Sequence, residues 1–344
     1  MPDILMLDRI GGAYTHASLV AGGLGGSEIE VLQVAHGLTA KGHRVVVANG
    51  VDALTVQNGV TYVPHATAWQ HTPTKALYLQ RWSAPETKLE IPAGVRVIVR
   101  ANDVYCPPYD VHRSLLASGR AGLVANTQWQ ASLFGFAKER TIIPPMLEPM
   151  PKVKKQRGLF VFASGAMKGF EATGERWQAM KARHPAMRHI QLGILSPGWG
   201  EPRPLTVEEA AADIRFLCNP TPQDYRRWLA KAEGLFMVST MAETFCCVAA
   251  LAERAGTRTH ILCNAGLNGL VEAAYDRQHI TEDADAFEAS FVEALSWPLG
   301  VVKKTLRNLT PARLMDEWTE VLHVDQPPIV VVEPSGPLNV PARA

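Results

Sequence analysis

Cysteine, net charge and long apolar runs are all scarce in this sequence, and each shortage removes a class of protein. The five cysteines, Cys106, Cys218, Cys246, Cys247 and Cys263, are odd in number and include no C-x-x-C pair. No histidine lies beside them at zinc-finger spacing, so they suggest neither a disulfide framework nor a structural zinc module. A reducing, cytoplasmic setting fits best. Lys and Arg total 34 against 33 for Asp and Glu, so the formal charge is only +1 and no global field draws in a polyanion. Nucleic acid is therefore not the expected partner, although a local basic patch is compatible with that balance. No apolar run approaches the roughly 18 residues of a membrane span. Asp3, Asp8 and Arg9 break the N-terminal stretch where a signal peptide needs an unbroken apolar core. Peripheral membrane contact stays open, because a few surface residues suffice for it.

What is present is the balance of a folded chain: 47% hydrophobic residues and 19% Asp, Glu, Lys and Arg exclude disorder for most of the length. At 344 residues the chain exceeds one ordinary domain, and two cores are expected. Apolar runs at 3–7, 43–50, 95–103, 121–127 and 140–146 suit strands buried on both faces, with helical spacing at 28–40 and 128–138 between them. The rhythm restarts with runs at 158–164, 188–195, 214–219, 232–239 and 258–264 and helices near 173–183, 222–231 and 244–255. This is the βαβ alternation of a doubly wound parallel sheet, met twice. The expected division is an N-terminal domain over 1–150, a second over 151–305, and a C-terminal helix and tail over 306–344. The basic, proline-containing stretch 144–158 reads as a solvated linker. Thr310 and Pro311 read as N-cap and first residue of the last helix.

The stretch "GGLGGSEIEVLQVAHGLTAKGHRVVVANG" (22–50) sets glycines directly before a helix. Ser27-x-x-Glu30 reads as a capping box, Ile29, Leu32, Ala35 and Leu38 share a face, and Gly42 closes the helix. Without Cβ atoms, Gly25 and Gly26 let a ligand approach the backbone, and the free N–H groups and helix dipole favour an anion such as a phosphate. A merely permissive loop is the competing reading at this point. The stretch lacks the G-K-[ST] of a P-loop, and it does not follow the first strand directly as a dinucleotide fingerprint would. A second constellation lies in "GLFMVSTMAETFCCVAALAERAGTR" (234–258), where a buried strand ends at Ser239 and Glu243 precedes a helix starting near Thr244 and Phe245. Glu243 at such a sheet edge is placed to take hydrogen bonds from sugar hydroxyls, or else simply caps its helix.

Taken in order, the Gly-Gly-Ser-Glu turn with "GLTAKGHRVVV", then "ASGAMKG", "IRFLCNPTPQDYRRWLAKAEGLFMVSTMAETF" and "AERAGTR", resemble the retaining glycosyltransferases of family 4, the glycosyl transferases of group 1. The likeness spans most of residues 1–265. It implies an α/β chain of the GT-B fold, with two Rossmann-like doubly wound domains facing across a cleft and the last helix returning to the N-terminal domain. It also implies transfer of a sugar, with retention and without a metal, from a nucleotide-diphosphate sugar such as a UDP- or GDP-sugar to an acceptor hydroxyl. The nucleotide sugar is a co-substrate, so no resident cofactor is implied; the acceptor is a glycan, a lipid-linked molecule or another hydroxyl compound. By the resemblance, Gly25, Gly26 and Ser27 meet the distal phosphate, and Lys168 offsets charge growing on the leaving diphosphate. Ser239, Glu243, Thr244, Phe245 and Cys246 line the donor sugar, Cys218 and Asn219 lie beside the base, and Asn102 and Asp103 face the acceptor.

The sequence also departs from that family. The second glutamate of its E-x7-E motif falls on Leu251, and Glu253 lies two residues on, about 200° around the helix. The arginine usual before the lysine falls among Phe162 and Ala163, and "VRAND" replaces the customary histidine with Asn102 and Asp103. Asp103 is either an acceptor-holding base or a turn residue. Other readings stay open: a non-catalytic nucleotide-sugar-binding protein, a GT-B nucleotide-sugar epimerase, and a glucosyltransferase acting on modified DNA bases. The histidines, including His16, His36 and His112, lack metal spacing, and Cys246-Cys247 reads as packed, inert thiols.

Overall fold

In the computed structural model, the described residues are 1–22, 24–85, 89–195, 204–217, 221–267, 269, 279–299 and 309–322. Eight strands form the first sheet: β1 Ile4–Leu7, β2 Val45–Asn49, β3 Thr55–Gln57, β4 Val60–Pro64, β5 Ala76–Gln80, β6 Arg96–Arg100, β7 Ala121–Ala125 and β8 Arg140–Ile142. Their order is β3-β4-β2-β1-β5-β6-β7-β8, parallel except that β3 runs against β4. Six more form the second sheet: β9 Gln156–Phe162, β10 Gln191–Ile194, β11 Ile214–Phe216, β12 Ala232–Ser239, β13 Arg258–Cys263 and β14 Ile280–Thr281. These run parallel in the order β11-β10-β9-β12-β13-β14.

Period-2 alternation divides the first sheet cleanly. Ile4, Met6, Tyr78, Ile98 and Val124 join the larger core, which also takes in Leu159, Val161, Phe236 and Trp177 of the second unit. Leu5, Leu7, Leu77, Leu79, Val97 and Val99 pack on the opposite face. Burial on both faces is what parallel strands with helical crossovers require, and it explains why these strands read as unbroken apolar runs. Each sheet reverses its winding once, where β1 stands between β2 and β5 and where β9 stands between β10 and β12. Loops leaving the carboxyl ends of strands at such a reversal form a crevice, and the residues singled out above leave from these strands or their neighbours.

The helix Pro311–Val321 lies on the first sheet. Trp318 packs 5.5 Å from the Tyr78 ring with the Arg100 guanidinium 5.4 Å above it, and Lys41 pairs with Asp316 at 2.9 Å.

Several expectations are corrected. The helix expected from 28 spans Gly26–Ala40 with Gly25 as N-cap and no side-chain cap. Ser27 is therefore its second residue, and Glu30 turns instead to Arg100, so no capping box forms. Gly42 does follow the helix in the left-handed region, at φ 90°. The stretch read as a solvated linker is half core: Met146 and Leu147 are buried, and β9 already begins at Gln156. Helical spacing at 128–138 yields only Gln128–Ser132, because Leu133, Phe134 and Ala137 close tight turns instead. The helix expected at Thr244 starts at Cys247, leaving Glu243 to Cys246 as a connector. Thr310 stands at the N-cap position, but its side chain makes no cap bond. Strands β3, β4, β5 and β14 and the helices Arg113–Ser118, Val207–Ala211 and Ala284–Ala294 went unread in the sequence.

Candidate active site

Lys168 closes a single helical turn, Ala166–Lys168, directly after β9. Gly169 ends that turn at φ 114°, and a Cβ there would come within 1.9 Å of the Val238 carbonyl oxygen. Only glycine lets the turn press against the end of β12. That contact brings the β9 loop to the connector after β12, where Glu243 sits with its side chain 7% exposed. The Lys168 Nζ donates to both Glu243 carboxylate oxygens, at 3.0 and 3.1 Å. Burial works against the ammonium, but the carboxylate outweighs it and holds the Lys168 pKa above the ordinary lysine value.

The glycine turn meets this pair from the first sheet. A Cβ on Gly26 would lie 4.0 Å from the Cys247 sulfur, so the uncapped start of Gly26–Ala40 stands against the start of the Cys247–Arg254 helix. The uncapped start of Gly26–Ala40, with Lys168 near Cys247, gives positive potential here, while at the second helix the Cys247 N–H already donates to the Phe245 carbonyl. Burial raises both neighbouring thiols, Cys247 to about 12 and Cys246 well above the ordinary value, so both are protonated and unreactive at neutral pH. Ser239 is buried with its hydroxyl on the Met241 carbonyl, and Phe245 and Cys246 are buried, so these three offer backbone rather than side chains. Cys218 and Asn219 lie outside the described residues.

On the first sheet, Asp103 follows β6 and is half-buried, and its carboxylate makes no hydrogen bond to the described residues. Burial pushes its pKa up, Arg81 and Lys168 pull it down, and the net shift is upward. The Asn102 amide donates to Glu30 at 2.9 Å. Pattern reading missed the group that dominates this wall. Arg81 follows β5 with a left-handed φ of 56° and is buried. It donates to both Asp8 oxygens at 3.1 Å and to Glu28 at 2.8 Å, while Tyr14 and the Gly11 N–H complete the Asp8 carboxylate. Its charge is thus compensated within the wall. The apolar run "ALYLQ" before Arg81 is the signal that was available.

A scan against protein-family profiles and a search of curated proteins found no match. Solved structures do match over nearly their full length. AviGT4, a glycosyltransferase involved in avilamycin A biosynthesis, superposes with a TM-score of 0.64 at 15% identity, covering 95% of this chain and 99% of that one. WaaG, a glycosyltransferase involved in lipopolysaccharide biosynthesis, gives 0.61 at 15% identity, covering 94% and 95%. The alpha,alpha-trehalose 6-phosphate synthase of Burkholderia multivorans gives 0.61 at 12% identity, covering 93% and 98%.

The chain has the GT-B fold. Within this GT-B frame the departures noted in the sequence take physical form. Leu251 packs against the core and Glu253 is buried, so neither stands as an open carboxylate in the crevice. Phe162 and Ala163 are fully buried, and Lys168 is the cation beside Glu243. Among the described residues no group of three or more His, Cys, Asp or Glu side chains is arranged to hold a metal, and no helix is long and apolar enough to cross a membrane.

Proposed function

We propose that this chain is a retaining, metal-independent glycosyltransferase of the family 4 type, acting in the cytoplasm on a nucleotide-diphosphate sugar. The observation that carries the reading is the meeting of Lys168 and Glu243 within 3.1 Å beside the uncapped Gly26 helix start, in a chain of GT-B fold. The first sheet is the acceptor domain and the second the donor domain. A diphosphate laid on the Gly25-Gly26-Ser27 turn takes Lys168 as its counter-charge, and Glu243, released from that ion pair, accepts hydrogen bonds from donor sugar hydroxyls. The backbone at Ser239, Phe245 and Cys246 shapes the sugar pocket, while the Thr244 carbonyl and hydroxyl are turned to the first sheet.

The reaction proceeds on one face of the sugar. As the bond from the anomeric carbon to the phosphate oxygen breaks, that oxygen accepts the proton of the acceptor hydroxyl. The acceptor oxygen bonds to the same face, so configuration is retained. Charge accumulates on the departing diphosphate, where Lys168 and the helix N–H groups stabilise it without reorganising. Asp103, opposite Lys168, holds the acceptor hydroxyl in line. Arg81, Asp8 and Glu28 hold the wall behind it rigid, since truncating any one would strand a buried charge.

A panel of nucleotide sugars in thermal shift tests the reading. A true donor at a hundred times its dissociation constant stabilises the folded chain by about 2.7 kcal/mol, and added hydroxyl acceptors then receive the sugar. Donor hydrolysis without acceptor separates a transferase from a mere binder. No stabilisation and no turnover across UDP-, GDP- and deoxynucleotide sugars would sink the proposal.

A further inference from the structure

Thr244, next to Glu243, spends its hydroxyl entirely on the opposite sheet. A threonine hydroxyl has one proton to give and lone pairs to accept with. The Thr244 Oγ1 donates to the Asn102 carbonyl at 2.6 Å and accepts from the Asn126 Nδ2 at 3.2 Å, while the Thr244 carbonyl accepts from the Thr127 hydroxyl at 2.9 Å. Asn102 directly precedes Asp103, and Asn126 and Thr127 follow β7. One hydrogen bond thus joins the neighbour of the donor-side glutamate to the neighbour of the acceptor-side aspartate. All the side chains involved except Asn102 are nine-tenths buried, so water does not compete for these bonds.

The partners are themselves held. Arg100 donates to the Asn126 Oδ1 at 2.5 Å, which turns the Asn126 amide so that its Nδ2 faces Thr244. The same Arg100 nitrogen, Nη2, also donates to one Glu30 oxygen at 2.5 Å while Nε donates to the other at 3.0 Å, and Glu30 in turn accepts from the Asn102 amide at 2.9 Å. Thr127 also accepts from the Gln130 N–H at 3.1 Å as an N-cap, so its hydroxyl has a single direction left. Apart from the Asn102 Oδ1, the side-chain polar atoms of this chain of contacts are partnered, and the chain runs from the Gly26–Ala40 helix to the connector carrying Glu243.

We propose that Thr244 is a positioning residue that clasps the two sheets and fixes the separation between donor-side Glu243 and acceptor-side Asp103, so that bound donor is passed to acceptor rather than to water. This rests on the transferase reading above. Loosening the clasp leaves the donor pocket on the second sheet intact but widens the distance over which the acceptor oxygen must reach, a step in which displacements near 1 Å matter.

The test compares Thr244→Val, which keeps shape and removes both hydroxyl bonds, with Thr244→Ser, which keeps both. In the valine variant, transfer kcat is expected to fall about tenfold or more while donor KM and donor hydrolysis change less than about threefold; serine restores transfer. Backbone hydrogen exchange, measured on the chain without ligand, is expected to quicken in Thr244→Val at both 101–105 and 241–246 and to return to normal in Thr244→Ser. Wild-type transfer by the valine variant, parallel loss of transfer and hydrolysis, or no rescue by serine overturns the positioning role. If the wild-type chain turns over no donor, the transferase reading fails; exchange that quickens on only one side of the clasp then refutes the clasp separately, and quickening on both sides upholds it.

Discussion

A single ion pair carries much of the proposed chemistry, and its two members answer differently to substitution. In the proposed reaction Lys168 supplies a positive charge to the leaving group, so Lys168→Met is expected to cost about 10²-fold or more in kcat, of the order seen when one oxyanion donor is removed. Glu243→Gln keeps the shape, cancels the carboxylate that now binds Lys168, and is expected to raise donor KM as well as lower kcat. Steady-state kinetics with the donor identified by thermal shift checks both; full activity in either variant defeats the assignment. Asp103 offers a sign test. Burial raises its pKa above that of an unfolded aspartate, so the ionised form is destabilising in the folded chain. That penalty is absent below the unfolded value, sets in as pH rises through it, and is complete above the folded value. Asp103→Asn is therefore expected to raise Tm at pH 7, to lose that gain near pH 3, and to abolish transfer. Scanning calorimetry at the two pH values reads it, and a lower Tm at pH 7 contradicts it. Glu243 was legible as a polar break after a buried apolar strand, and Lys168 and Asp103 through the likeness of their short motifs to those of a known family. Arg81, Asn126 and Thr127 were not, because their roles depend on partners 53 to 118 positions away that no local spacing encodes.

Elements meet at places where a missing side chain sets the distance. Gly26 has room for a methyl group, since the atom it would face lies 4.0 Å away. Gly26→Ala is therefore expected to fold with unchanged or slightly higher Tm, alanine being the better helix former. It is also expected to weaken donor binding, because the methyl group intrudes where the phosphate approaches. Calorimetry paired with a donor titration separates the two effects, and unaltered affinity would remove the turn from the donor site. Gly37 is the opposite case. A Cβ there would fall 2.4 Å from the Met315 sulfur of the Pro311–Val321 helix. Gly37→Leu is expected to cost about 1–3 kcal/mol by overpacking, with Met315→Ala in the same chain recovering part of it. Denaturant unfolding measures the coupling, and strictly additive losses would mean that this helix seat is not decided there. Helices such as Gly26–Ala40 and Pro222–Lys231 and the fully buried strands were readable because their spacing is long and regular. The short strands β3, β4 and β5 were not: at three to five residues each they lie among turn-formers, and tertiary pairing rather than local pattern makes them strands. The capping box failed for a related reason, since Glu30 gains more from the buried Arg100 guanidinium than from a helix end.

At the scale of the whole molecule, both sheets contribute to one continuous core, with the C-terminal helix and the Thr244 contacts as further ties between them. The chain is therefore expected to unfold in a single transition, and each lobe adds the same kind of pH sensitivity to it. His112 in the first lobe is wholly buried, with neither ring nitrogen in a hydrogen bond of good geometry although the Arg81 and Ser83 backbone lies alongside; burial holds its pKa down to about 4. His260 in the second lobe is equally enclosed, between His279 and Phe291, with ring centroids at 4.7 and 5.0 Å. Burial first, then His279 and Arg258, holds its pKa well below the ordinary value. Unfolding exposes both rings to water, where each takes up a proton near pH 6.5. The unfolded chain then binds more protons than the folded one, so stability falls as pH drops below 6.5, and the His112 share levels off near pH 4 where the folded ring also charges. Below pH 6.5 a histidine kept neutral in the folded chain contributes a slope of about 1.4 kcal/mol per pH unit, and His36, held down to about 4 by burial, adds to the fall from the two enclosed rings. Urea unfolding at pH 7.5 and 5.5 measures the loss. His112→Gln and His260→Gln should each remove a part of it from the same transition. Stability unchanged between pH 7.5 and 5.5 would show that the rings charge without unfolding, and two separate midpoints would show that the lobes are not one cooperative body.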